Sequence, residues 1–429
     1  VSKILQKLIN TITIDESHAA FIKKGISGSL LLEVFARLLL FAITILLTHH
    51  LTGEDYGRYS YYMGILISLA TIATFGLDDM VIKQMGHSDR NIGNLMNKSA
   101  LAFSLLVAGS LAFIYYSQSD RSIAIAYISG SVVLLTFQYM MSAYLKGRRH
   151  ILSAQIPEQV VRLGMLFVLI LFQFFYFHDF SFEGIARSIF LSVLISSIVS
   201  IGLLLRKENL SKLFDSTSWK SLFSVEVLLF AALSLFGVFR HKLDVILLGW
   251  YELFVETGVY NICSKLSDLL LVGLMLTNVL YMPLFAARKE DKDTSDLAKI
   301  LKSSATINAI IGGALLLLFI AFGKLILGFL GDGFGVGYDS LILLSIATFI
   351  YAVLGPYIVM LMMVGYAKDV LIGLVIGVGI QFALAMLLIH ETPVYGMAIS
   401  KSVSILFIQF FMMWVAWRRL AIKPFFLPK

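Results

Sequence analysis

Apolar stretches long enough to cross a bilayer follow one another along almost the whole chain, and that succession constrains the fold more than any other feature. They run over residues 28–50, 59–83, 98–117, 122–145, 153–176, 184–205, 222–249, 257–286, 303–327, 339–364, 367–389 and 395–417. A span needs about 20 mostly apolar residues. No connection between them reaches the roughly 50 residues of a small soluble domain. Of 429 residues, 59% are hydrophobic and 14% charged, whereas soluble domains carry about 25% charged residues. A single soluble core cannot hide so much apolar surface, because cores stop growing at about 250–300 residues. The expected fold is all-α: a polytopic integral membrane protein of about 12 transmembrane helices.

Lysines and arginines set the orientation of such a bundle. With the N-terminus taken as inside, the inside segments hold Lys3, Lys7, Lys23 and Lys24, then Lys83, Arg90 and Lys98, and then Lys146, Arg148 and Arg149. Further along they hold Arg206, Lys207, Lys212 and Lys220, a dense group at 288–302, Lys368, and Arg418, Arg419, Lys423 and Lys429. The outside loops hold Arg58 and Arg121. Both termini are therefore expected in the cytoplasm. This bias explains most of the net charge of +7. No basic, aromatic-interleaved surface segment is present to bind nucleic acid. Residues 1–27 are polar and basic, and Ile4, Leu5, Leu8, Ile9 and Ile12 fall at helical spacing, which predicts a short interfacial helix. The first long apolar run carries no small-residue cleavage site, so a cleavable signal peptide is not expected. The lone Cys263 allows no intrachain disulfide.

The chain also repeats itself. Asp55-Tyr56-Gly57-Arg58-Tyr59 follows the first span and Glu256-Thr257-Gly258-Val259-Tyr260 follows the seventh. Both read acidic-x-Gly-x-Tyr where an outside loop enters a helix. An even number of spans separates them, so the halves cross with the same orientation and are related by an axis along the membrane normal. The expected organisation is an interfacial segment 1–27, an N-terminal lobe 28–205, a basic cytoplasmic linker 206–221, a C-terminal lobe 222–417 and a cytoplasmic tail 418–429.

Charges remain within or beside the spans. The basic ones are Arg37, Arg162, Arg187, Arg240, Lys242, Lys265, Lys324 and Lys401; the acidic ones are Glu33, Asp78, Asp79, Glu226, Asp244 and Asp268. Each costs roughly 2.5–3.5 kcal/mol at a helix centre, so several must face water or one another, and a hydrated cavity follows. Glu33 and Arg37 are four apart and share a helix face, as a structural ion pair or as substrate contacts. Lys265 and Asp268, three apart, leave the same two readings open. Arg240, Lys242 and Asp244 alternate and cannot all share one face. Arg187 and Lys324 lie near span ends and are expected to snorkel. Arg162 and Lys401 have no acidic neighbour in sequence and are the foremost cavity candidates. The substrate-binding set is thus Arg37, Arg162, Arg240, Lys242, Lys265 and Lys401; Glu33, Asp244 and Asp268 are candidates for H⁺ or Na⁺ coupling or for ion pairing.

Other chemistry is sparse. The histidines have no metal-ligand spacing, and no cofactor is expected. The glycines between Gly331 and Gly337 follow no strand and read as a flexible turn rather than a phosphate cradle. Gly355-Pro356 interrupts the tenth span and Pro157 opens the fifth; proline removes a backbone bond and kinks a helix, which makes Pro356 a hinge candidate.

The chain resembles the polysaccharide transporters of the multidrug/oligosaccharidyl-lipid/polysaccharide superfamily, and in particular the O-antigen flippases of the Wzx type. The resemblance rests on Leu51-Thr-Gly-Glu-Asp-Tyr-Gly-Arg-Tyr59, Phe75-Gly-Leu-Asp78 and Lys146-Gly147 in the first half. In the second it rests on Asp244-Val-Ile-Leu-Leu-Gly249, Thr257-Gly-Val-Tyr260 and Pro283. It implies two six-helix lobes around a central cavity in a bacterial inner membrane. It also implies a polyprenyl-pyrophosphate-linked glycan as substrate, with a polysaccharide polymerase and chain-length regulators as partners. It assigns no site residue, because charged cavity positions vary among such transporters. Stripping one sugar hydroxyl of water costs several kcal/mol in hydrocarbon, and Arg and Lys suit pyrophosphate through charge-assisted hydrogen bonds. The runner-up is an ion-coupled multidrug exporter of the same superfamily, for which unpaired cations are a poor lining. A membrane-embedded glycan polymerase or ligase would place catalytic arginines in a large outer loop, which this chain lacks. A non-transporting scaffold is the remaining reading.

Overall fold

The computed structural model describes residues 16–78, 123–148, 150–177, 181–207, 225–287, 295–331 and 333–422. The third expected span, the interfacial helix over residues 1–12, most of the linker, Asp79, the side chain of Glu226 and the end of the tail lie outside these residues.

Every described element is a helix. The first half holds α1 (Glu16–His50), α2 (Gly53–Ala73), α3 (Ile123–Gly147), α4 and α5 (Phe182–Lys207). α4 is one run of alternating α and π turns, Ile151–Gln155, Ile156–Val161, Arg162–Phe172 and Gln173–Phe177. The second half holds α6 (Val225–Trp250), α7 (Phe254–Asp268), α8 (Val272–Ala287), α9 (Ser295–Leu330), α10 (Tyr338–Leu354), α11 (Tyr357–Val364), α12 (Ala367–Leu388) and α13 (Pro393–Leu420). Among the described residues, nine segments are long and apolar enough to cross a membrane. α2 and α6 have the length but carry more polar residues: Glu54, Asp55 and Arg58 on α2, and Arg240, Lys242 and Asp244 on α6.

Three expectations are refined. α1 begins at Glu16 rather than at residue 28. The eighth span is two helices, because a 3₁₀ turn at Leu269–Leu271 joins α7 to α8. The tenth span is also two helices, broken at Gly355-Pro356, where Gly355 adopts φ +101°. A broken helix frees carbonyls that hydrocarbon cannot satisfy. Here Asn308 Nδ2 donates to Ala352 O at 2.8 Å and Gln409 Nε2 to Gly355 O at 2.7 Å. In the π turn at Pro157 the proline carbonyl accepts from both Arg162 N and Ser196 Oγ, the latter at 2.8 Å.

α3, α4 and α5 pack together in the first half, with α1 against α4. In the second half α12 packs on α13 and α6, and α9 on α10. α2 joins the halves, packing on α3 of its own half and on both α6 and α7 of the other. The repeated motif explains this seam. Thr52 caps α2 by accepting from Asp55 N at 3.1 Å, and Glu54 and Asp55 sit in the first turn, where the helix dipole favours anions. The two motif glycines then cross. A Cβ on Gly57 would stand 1.7 Å from Phe254 O, and one on Gly258 would stand 3.2 Å from Gly53 O. Only glycine permits this approach. At the opposite end of α2, a Cβ on Gly76 would meet the Phe230 backbone at 2.4 Å. α2 is therefore tight against the second half at both ends, on α7 at one and on α6 at the other.

Candidate functional site

Between these tight ends the packing opens. α1, α2, α6 and α7 enclose a cavity of about 250 Å³, lined among others by Arg37, Thr44, Tyr59, Lys242, Lys265 and Asp268. A second cavity of about 270 Å³ adjoins it between α1, α4 and α8, where Glu33, Arg37, Gln155, Met275 and Asn278 form part of the wall. A third, of about 380 Å³, lies beside Arg240, His241 and Lys242. Arg37 belongs to the first two and Lys242 to the first and third.

Cations dominate this space. Lys265 Nζ donates to Thr44 Oγ1 at 3.3 Å and to Tyr56 OH at 3.4 Å, and it lies over the Tyr56 and Tyr59 rings at 5.8 and 5.9 Å. Neither Lys242 nor Lys265 has a carboxylate within 4.0 Å among the described residues. Asp268 lines the same cavity without bridging to either lysine at that range. Arg37 pairs with Glu33 at 3.3 Å and touches Met275 Sδ on α8. Glu33 also accepts from Gln159 Nε2 of α4 at 2.6 Å. In the wall of the second cavity Gln155 Oε1 and Asn278 Oδ1 are buried with no partner among the described residues. An amide oxygen left so costs about 1–3 kcal/mol unless a ligand or solvent donates to it. The site thus offers ammonium and guanidinium groups beside a wall that holds the amide side chains of Gln155 and Asn278.

Comparison with known proteins bears directly on this arrangement. Residues 22–288 match the family described as polysaccharide biosynthesis protein. The chain belongs to that family. No curated protein matches it significantly. Its fold is that of solved transporters. The MATE multidrug transporter DinF-BH aligns with a TM-score of 0.68 at 14% identity, covering 95% of this chain and 97% of its own. An inward-facing multidrug resistance MATE family transporter of the MOP superfamily aligns at 0.67 and 14%, covering 91% and 96%. The Vibrio cholerae transporter VcmN aligns at 0.60 and 12%, covering 94% and 97%. At these identities the likeness is one of fold alone, and it gives this polysaccharide biosynthesis family member a multi-pass helical membrane fold.

The family member's remaining candidates lie outside the first two cavities. Arg240 Nη1 donates to Tyr351 OH at 3.2 Å. Arg162 is half-buried beside the first π segment, its Nε donating to Glu158 O at 3.3 Å. It does not line the cavities described above. Lys401 and Asp244 are 4% and 1% exposed and face each other at 3.8 Å inside the second half. Arg187 and Lys324 are exposed, and Lys324 lies over the Tyr338 ring at 5.1 Å.

Several contributing residues escaped the charge-led reading. Asn261 of α7 donates to Ser60 Oγ of α2 at 2.8 Å and to Tyr56 OH at 3.5 Å, closing the cavity towards the glycine crossing. Gln159, Gln155 and Asn278 shape the second cavity. The available signal was a polar amide within an apolar run.

Proposed function

We propose that this protein is a flippase for polyprenyl-pyrophosphate-linked oligosaccharide. On this reading it carries a repeat unit of O-antigen or another surface polysaccharide from the cytoplasmic to the outer leaflet of a bacterial inner membrane, with both termini in the cytoplasm. One observation carries the reading: Lys242 and Lys265 line an inter-lobe cavity without a carboxylate at bridging distance among the described residues, next to a cavity walled in part by the amides Gln155 and Asn278. Paired cations suit a pyrophosphate, and amide side chains, once turned towards the cavity, suit sugar hydroxyls. The polyprenyl tail stays in lipid along α1, whose Leu31 and Leu38 are 72% and 63% exposed. Alternating access then requires the Gly57–Gly258 crossing to open as the lobes rock.

The fold serves a multidrug exporter equally. The lining disfavours that reading where the cargo is cationic, because desolvated like charges repel. Deletion of the gene discriminates. A flippase deletion accumulates lipid-linked oligosaccharide facing the cytoplasm, and the doubly substituted Lys242→Met/Lys265→Met protein, present at normal level, fails to restore export. Drug sensitivity without a glycan defect overturns the proposal.

A further inference from the structure

Inside the second half, away from the three cavities, four helices converge on one charge. Asp244 of α6 is held from three sides. Tyr260 OH of α7 donates to its Oδ2, Gln381 Nε2 of α12 lies 3.5 Å from its Oδ1, and Lys401 Nζ of α13 stands 3.8 Å from Oδ2. Lys401 donates its one short hydrogen bond to Ser264 Oγ of α7 at 2.7 Å. Asp244, Ser264, Gln381 and Lys401 are all at least nine-tenths buried. The Oε1 of Gln381 is buried with no partner.

This is an unusual ion pair. At 3.8 Å it is no fork of hydrogen bonds, and the ammonium leans on a hydroxyl rather than on the carboxylate. An ammonium between a carboxylate and a hydroxyl oxygen, with a tyrosine hydroxyl on the same carboxylate, occupies the place that a cation takes among hard oxygen ligands. Among its described residues, the first half shows no comparable cluster. In the register that aligns Gly57 with Gly258, Tyr260 corresponds to Tyr59 but Ser264 to Met63. The stretch of α1 facing that turn, Leu39 to Ile45, has Thr44 as its sole polar residue.

We propose that Asp244, Tyr260 and Ser264 form a monovalent-cation site in the C-terminal lobe, and that the Lys401 ammonium fills it as a tethered cation. The lobe therefore needs no free Na⁺ or K⁺ to stay packed. A free alkali or small ammonium ion enters only when Lys401 is withdrawn. The proposal is independent of which substrate the inter-lobe cavity carries.

Thermal unfolding of the purified full-length protein in detergent tests it, with NaCl, KCl, methylammonium chloride or choline chloride at one ionic strength. Ligand binding to the folded state raises Tm with concentration. In Lys401→Ala, Tm is expected to fall, then to rise by several degrees, saturably, in Na⁺ or methylammonium over choline. Lys401→Ala/Asp244→Asn and the natural protein are expected to show no such preference. Where Lys401→Ala does not accumulate, Lys401→Gln carries the same comparison. A Lys401 variant that cannot distinguish the small cations from choline overturns the site. A Na⁺-specific gain in the natural protein that Asp244→Asn abolishes overturns the tethered occupant, because the site would then be open.

Discussion

The two halves share an architecture and use their intramembrane charges in opposite ways. In the first half, Glu33 and Arg37 sit one turn apart on α1 and line the cavities, with 37% and 22% of their side chains exposed. In the second half, Asp244 and Lys401 come from helices far apart in the chain and are shut away from solvent. One pair is a wall and the other a core. A pair at the edge of a hydrated space keeps most of its solvation, so it forms or parts at little cost. A buried pair has lost its water, and removing one partner strands the other. The repeat motif is common to both halves, yet after its tyrosine the lobes diverge: Met63 keeps the first apolar where Ser264 makes the second polar.

The largest test of this contrast is to break the buried pair. Asp244→Asn or Lys401→Ala is expected to lower stability by about 3–5 kcal/mol, read as a drop in Tm and in folded yield. Asp244→Leu combined with Lys401→Met should regain most of that loss, because two apolar groups of similar bulk leave no stranded charge. If either single variant melts with the natural protein, the halves do not differ as described.

Next comes the glycine crossing that both halves share. Gly57→Ala forces a methyl onto the Phe254 carbonyl and must part α2 from α7. Overpacking of this kind costs about 1–3 kcal/mol. Gly53→Ala, whose Cβ would meet only Val255 Cγ1 at 3.8 Å, should stay within about 0.5 kcal/mol. A spin-label distance across the crossing should lengthen in Gly57→Ala and not in Gly53→Ala.

Much of this could be read from the chain and some could not, for physical reasons. Span positions follow from apolar length, and the break at Gly355-Pro356 follows from the chemistry of its two residues. The Glu33–Arg37 pair was legible because four residues make one helical turn. The Asp244–Lys401 pair was not, because its partners meet only through packing of α6 on α13; sequence spacing left Lys401 looking alone. Lys265 and Asp268, at a spacing that permits pairing, line a cavity instead and do not bridge. Asn308, Gln381 and Gln409 carry no formal charge, so a reading led by charge passed over the amides that satisfy broken backbone and hold Asp244. The 3₁₀ turn at Leu269–Leu271 is written in leucines, which favour an ordinary helix, and only tertiary context tightens it.

The break in the tenth span offers a middle-sized test. Gln409→Leu removes the buried side-chain donor to the Gly355 carbonyl, which keeps its bond from Tyr357 N, and should cost about 0.5–1.5 kcal/mol. If Pro356 also serves as a flexing point, Pro356→Ala slows transport at equal protein level. Unchanged transport would leave the break a static feature, held by Asn308 and Gln409.

The smallest expected effect completes the contrast. Glu33→Gln removes the charge that faces Arg37 but keeps an acceptor for Gln159. An exposed i, i+4 pair contributes about 0.3–0.5 kcal/mol, so Tm should move by no more than a degree or two. What should change is the cavity. With Glu33 neutral, Arg37 joins Lys242 and Lys265 as a cation without a partnered carboxylate, and the field at the inter-lobe cavity becomes more positive. Binding of inorganic pyrophosphate, measured by calorimetry, should therefore tighten while stability barely shifts, and the gain should shrink at high salt as the charges are screened. A Tm loss as large as that of Asp244→Asn would mean that Glu33 is a structural charge like its counterpart, and the division between wall and core would fail at its first-half side.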